Sequence, residues 1–123
     1  MEFGVLLSCG YPFLIPKNVF SKAKFAINFH PTLLPKNRGK YVHYVLINNE
    51  EFSGVTAHLI DEGIDTGPII KQVKFKVSPF DTVSSLLRKS SELEIDLVLD
   101  VIRMIETDKV TTLHRITHRQ PPT

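Results

Sequence analysis

With 123 residues, 42% of them hydrophobic and 23% charged, the chain has the size and balance of one globular domain, able to bury about two-thirds of its extended surface. A formal net charge of +2 is too small to point to nucleic acid or an anionic membrane, and no apolar run nears the ~20 residues of a membrane span. The single cysteine, Cys9, excludes an internal disulfide framework, and with an acidic second residue and no basic leader the expectation is a cytosolic protein.

Residues 3–8, FGVLLS, predict a short buried strand that ends at the Cys9-Gly10-Tyr11-Pro12 turn. The stretch IPKNVFSKA predicts a short helix with Pro16 in its first turn, where a missing N–H costs little. Residues 24–30, KFAINFH, alternate: Phe25, Ile27 and Phe29 share one face, Ala26, Asn28 and His30 the other. A helix is expected near 40–48 from the spacing of Val42, Val45 and Leu46, and a strand over 54–60 with Thr56 and His58 on one face. The loop DEGIDTGP follows, then a strand over 69–77. Residues 81–106 carry one helical stripe, Val83, Leu86, Leu87, Leu93, Leu97, Val98, Val101, Ile102 and Ile105, with Asp81 as the expected N-cap. Strands alternating with helices predict an α/β layer fold with an open, mostly parallel sheet and flanking helices, one domain over 1–110 and an irregular tail over 111–123. Ligands of such sheets gather beyond the carboxyl ends of strands.

Two segments carry chemistry. Asn28 and His30, two apart on a strand, present an amide and an imidazole to the same side, a pair of donors suited to the oxyanion of an acyl-transfer intermediate. Pro31 and Pro35 stiffen the segment behind them. In HLIDEGIDTGP, Asp65 follows His58 across a glycine-containing loop that can fold back, giving a carboxylate–histidine pair able to accept or relay a proton. No serine or cysteine lies in a nucleophile motif, which favours direct attack by a substrate amine. A two-histidine, one-carboxylate metal set of His30, His58 and Asp65 is a competing reading, but no ligand-type spacing supports it, so no metal is expected. Taken singly, each of these residues is a common structural type: a strand-end histidine, a turn aspartate. His43 is expected to face solvent, and His114, Arg115, His118 and Arg119 form a small basic patch in the tail.

Asn28-Phe29-His30-Pro31, Leu33-Leu34-Pro35, Arg38-Gly39, Gly54-Val55-Thr56-x-His58 and Asp61-Glu62-Gly63-Ile64-Asp65-Thr66-Gly67-Pro68 together resemble the 10-formyltetrahydrofolate-dependent formyltransferase family over roughly residues 3–106. The resemblance implies the C-terminal part of a Rossmann-like catalytic domain, without the N-terminal half that family members carry. It implies that Asn28 and His30 polarise the formyl group, that Asp65 collects the amine proton through a water, and that His58 and Thr56 support them. It further implies folate contacts from Leu7, Tyr11, Phe13 and Leu14 and from the loop of Asp61 and Gly63, with 10-formyltetrahydrofolate as cosubstrate and a small primary amine as acceptor. Pro68 leans toward a glycinamide ribonucleotide acceptor in purine biosynthesis. Asn37-Arg38-Gly39 also occurs in sugar-nucleotide members, which stand with the methionyl-tRNA type as alternatives. The rival from another class is a non-catalytic folate-binding or interaction remnant. Its open sheet edge is expected to favour a homodimer or a complementing N-terminal chain.

Overall fold

The computed structural model describes residues 3–9, 14–40 and 42–107. Tyr11, Phe13 and the tail with His114 and His118 lie outside the described residues. Four strands form one sheet in the order β1-β2-β3-β4, namely Phe3–Cys9, Ala23–His30, Phe52–Leu59 and Ile69–Lys76. Three helices accompany it: α1, Lys17–Phe20; α2, His43–Ile47; and α3, Val83–Glu106. None of the helices among the described residues is long and apolar enough to cross a membrane.

The expectation of a mostly parallel sheet is corrected. β1 and β2 are parallel, but β2–β3 and β3–β4 are antiparallel, so the sheet is mixed. Residues 60–68 are too few for the crossover that parallel neighbours need. Residues 31–51 are long enough, yet they are tied back over the sheet: the Leu34 N–H donates to Thr56 Oγ1 of β3 at 3.1 Å, and Gln72 Nε2 of β4 donates to the Leu34 carbonyl at 2.7 Å. The chain therefore re-enters beside the strand end it left.

The alternation in β2 works as read. Ile27 and Phe29, with Val55 and Ala57 of β3 and Leu97 and Val101 of α3, make the main core. At α3 the stripe is narrower than expected: Leu86, Ser90, Leu97 and Val101 are buried, while Val83 and Leu87 are exposed. A 3.6-residue period selects the former set and carries the latter off the seam. The expected cap is also displaced by one residue. Thr82, not Asp81, is the N-cap, its side chain accepting from Ser85 N at 3.1 Å and Ser85 Oγ accepting from Thr82 N at 2.8 Å. Asp81 lies one residue earlier and accepts from Ser78 N, Ser85 Oγ and Lys89 Nζ. Pro16 likewise sits at the N-cap of α1 rather than inside its first turn.

Candidate active site

With α3 covering one face of β2 and β3, the site occupies the other. The antiparallel register sets Asn28 opposite His58 and His30 opposite Thr56. Because β2 and β3 pair only through residues 27–30 and 56–59, their two carboxyl ends fall close together although the strands run opposite ways. Side chains directly opposite in an antiparallel ladder lie about 4.5–5.5 Å apart at Cβ, within reach of one shared partner.

That partner is Asp65. After Leu59 the chain turns back: the Leu59 N–H donates to the Pro68 carbonyl at 2.9 Å, and Ile60 N–H to the Ala26 carbonyl at 2.8 Å. Gly67 is obligatory in this turn, since a Cβ there would fall 1.6 Å from the Leu59 carbonyl oxygen. Asp65 itself is left-handed, φ +53°, a conformation uncommon outside glycine but tolerated by aspartate. The turn at 34–40 holds it there: Gly39 N–H donates to Oδ2 at 3.0 Å and Arg38 Nε to the Asp65 carbonyl at 3.3 Å. Arg38 and Gly39 carry no assigned role in the sequence reading. Their only signal is their place in the motif.

The carboxylate of Asp65 then meets three expected residues at once. His30 Nδ1 is 3.3 Å from Oδ2, His58 Nε2 is 3.5 Å from Oδ1, and Asn28 Nδ2 is 3.5 Å from Oδ1 and 3.1 Å from His58 Nε2. Asp65 was expected to pair with His58; it contacts both histidines and lies closer to His30. Thr56 contributes from beneath. Its hydroxyl donates to the Thr32 carbonyl at 2.8 Å and accepts from Leu34 N–H and from Gln72 Nε2 at 2.9 Å, fixing the segment that follows His30.

The hydrogen bonds settle where ring protons reside. His30 Nε2 faces the Asn37 carbonyl at 3.2 Å, and His58 Nδ1 faces the Leu59 carbonyl at 2.9 Å. A carbonyl only accepts, so both nitrogens carry hydrogen. Each ring therefore turns its other nitrogen, basic when neutral, toward Asp65. His58 Nε2 receives an Asn28 amide hydrogen, while His30 Nδ1 faces the carboxylate directly, which marks that gap as the place for a transferable proton. Burial weighs most on His30 and leaves its pKa below the ordinary histidine value, although the Asp65 charge and the Asn37 carbonyl oppose it. For Asp65 burial pulls upward, but the hydrogen bond that His58 offers when its ring is charged, the His30 charge and the Gly39 N–H outweigh it, and the carboxyl lies below its ordinary value. Asp65 Oδ2 accepts from Gly39 N–H at 3.0 Å, and Oδ1 lies 3.5 Å from both His58 Nε2 and Asn28 Nδ2. No metal-holding group of three occurs among the described residues.

A shallow, open depression of about 370 Å³ is lined by Phe20, Ile60, Asp61, Glu62 and Gly63, the last four on the loop that leads to Asp65. Asp61 is locked within the loop, accepting from Gly63 N–H at 2.9 Å and from the Thr66 hydroxyl. Its own carboxylate is thereby spent on the loop's shape. Leu14 is exposed. Leu7, in register with Ile27, packs against the main core, and core packing accounts for it. Phe20 was not anticipated; in the sequence it is one apolar residue in a short helix.

The formyl transferase family profile matches residues 2–102. A methionyl-tRNA formyltransferase of Wolbachia pipientis is 38% identical over 104 residues, which cover 83% of this chain and 35% of that protein. The N-formyltransferase of Helicobacter canadensis, solved with folinic acid and dTDP-3-aminofucose, superposes with a TM-score of 0.80 at 32% identity over 86% of this chain and 39% of that one. The phosphoribosylglycinamide formyltransferase of Bacillus halodurans gives a TM-score of 0.64 at 32% identity over 72% of this chain and 46% of its own. The chain thus spans about a third of the length of the curated relatives it matches, at 35% and 36% of the first two. A polar sheet face in this register, a family profile over most of the chain and the likeness to solved formyltransferases agree: the chain belongs to the formyl transferase family.

Proposed function

We propose that this domain carries the formyl-transfer centre for a reaction between 10-formyltetrahydrofolate and a primary amine. One observation carries the reading: Asp65 is held within 3.5 Å of Asn28, His30 and His58 on one sheet face. The neutral amine attacks the formyl carbon and forms a C–N bond. Asn28 donates to the oxygen as it becomes an oxyanion by turning to it the amide hydrogen that points at Asp65 Oδ1, and His30 donates from Nδ1 once that nitrogen holds the proton it shares with Asp65. The amine proton passes toward Asp65, directly or through one water, and the bond from the formyl carbon to N10 breaks as N10 takes up a proton. Among family homologues, the Helicobacter canadensis enzyme was solved with folinic acid, which supports a folate donor for the depression at Phe20 and Gly63.

For the acceptor, a methionyl-tRNA or amino-sugar nucleotide is the better supported choice, since the curated relatives are named for the former and the closer superposition is with an amino-sugar enzyme. The glycinamide ribonucleotide acceptor read from Pro68 is weaker. Pro68 has a structural task here, its carbonyl taking the Leu59 N–H that closes the loop.

The test is calorimetric titration of the chain with a stable 10-formyl-tetrahydrofolate analogue, followed by turnover with each acceptor class. His30→Ala and Asp65→Ala are expected to lower turnover at least about a hundredfold with the fold intact, the loss typical of removing one oxyanion or proton-transfer group. Turnover should also fall as pH drops through the amine's pKa. Near-normal turnover in either variant overturns the assignment. Binding without turnover for any acceptor points to a folate-binding remnant.

A further inference from the structure

Glu50 is a carboxylate buried in the corner after α2, 8% exposed, with its backbone N–H on the Val45 carbonyl at 2.9 Å. Both its oxygens face one nitrogen: Asn37 Nδ2 is 3.0 Å from Oε1 and 3.1 Å from Oε2. Asn37 is buried as deeply, at 2% exposure, and Val45, whose carbonyl takes the Glu50 N–H, belongs to a small apolar cluster with Val42 and Leu86. A carboxylate in such a place is costly unless its partner answers it, and an apolar pair of similar volume would serve packing at least as well. The bond makes sense through what the rest of Asn37 does. Its carbonyl accepts from His30 Nε2–H at 3.2 Å and from Lys40 N–H at 3.0 Å. The next two residues, Arg38 and Gly39, hold Asp65 at 3.3 and 3.0 Å. One turn therefore carries the contacts that orient both members of the proton-transfer pair, and Glu50 is the buried group that pins that turn from α2.

We propose that Glu50 is a positioning residue for formyl transfer: by anchoring the Asn37 side chain it fixes the Asn37 carbonyl on His30 Nε2–H, and so keeps His30 Nδ1 turned to Asp65. The catalytic part rests on the function proposed above; the orientation of His30 does not. Glu50 touches neither Asp65 nor His30, so its effect passes entirely through the turn at 34–40. Loss of the anchor lets the Asn37 carbonyl drift and frees the His30 ring to exchange its hydrogen between nitrogens, leaving His58 and its Leu59 carbonyl untouched.

Long-range 1H–15N correlation spectra of the whole chain, labelled at histidine nitrogen, read this directly. In the wild type His30 should be the Nε2–H form and His58 the Nδ1–H form. A wild-type His30 in the Nδ1–H form overturns the proposal before any variant is made. In Glu50→Gln, nearly isosteric, His30 should become a mixture of the two forms while His58 keeps its own. With donor and acceptor supplied, kcat should fall about tenfold with the donor KM unchanged. The exchange Asn37→Asp with Glu50→Gln, which inverts the amide–carboxylate pair, should restore both readouts, a rescue a merely structural role does not predict. If Glu50→Gln does not fold, the exchange variant decides alone, and a mixed His30 there overturns the proposal. A folded Glu50→Gln with the wild-type His30 spectrum overturns it too, and a changed spectrum with unchanged kcat overturns its catalytic part. Absence of any transfer by the wild type counts against the proposed function and leaves the spectral arm standing.

Discussion

The two faces of β2 and β3 are almost equally dry and built on opposite terms. On the α3 side Ile27, Phe29, Val55 and Ala57 are 0–1% exposed; on the other, Thr56, His58 and His30 are 0, 3 and 6% exposed. Burial alone does not tell core from site. The α3 face is held by apolar area, a non-directional force that tolerates exchange of one shape for a similar one. The polar face is held by donors and acceptors matched atom by atom, so a change that preserves volume can still break it.

The difference is sharpest under truncation. Leu97→Ala removes most of a fully buried side chain from the main core and should cost about 2–5 kcal/mol, seen as a lower urea midpoint at unchanged slope. Leu97→Met should recover most of that loss. A cost below about 1 kcal/mol for the alanine variant would mean that α3 does not seal this face as described.

Thr56→Val inverts the experiment. Volume is kept and only the hydroxyl is lost, yet that oxygen serves the Thr32 carbonyl, the Leu34 N–H and the Gln72 amide. Stranding buried partners should cost about 1–3 kcal/mol, and the same substitution should slow turnover because the segment behind His30 is released. A neutral Thr56→Val would erase the distinction between the faces.

These contrasts also show what the sequence makes legible. Alternation in KFAINFH separates the faces of β2 correctly, because period-two patterning follows directly from strand geometry. That Asn28, His30, His58 and Asp65 come together is legible from their joint motif. What is not legible is mostly long-range. The antiparallel direction of β3 depends on Leu34 and Gln72 meeting across 38 positions, and no local pattern encodes that. Arg38, Gly39 and Glu50 act through backbone groups or a buried corner, where residue type gives little warning of role. The cap of α3 falls one residue beyond the expected Asp81 because Asp81 and Thr82 are both good capping types, and only the geometry at Ser85 decides between them.

The smallest predicted effect compares the two held aspartates. Asp65 lies below its ordinary pKa chiefly through histidines, which change charge themselves, against the upward pull of burial. Asp81 is held by the Ser85 hydroxyl, Lys89 and the Ser78 N–H, none of which titrates in acid, and its pKa falls from 3.8 to about 2. A carboxyl depressed in the folded chain stabilises fully above its unfolded pKa, and that contribution is lost as pH falls through the folded value. For Asp81 the window runs from 3.8 down to about 2. Urea midpoints measured from pH 5 to pH 2 should therefore drop more steeply for the wild type than for Asp81→Asn, the curves converging at the acid end. The pair with Lys89 is partly open to water, at 38% side-chain exposure for the lysine, so salt should reduce the difference without abolishing it. Parallel curves would place the acid sensitivity elsewhere, and Asp65→Asn would then be the variant expected to flatten them.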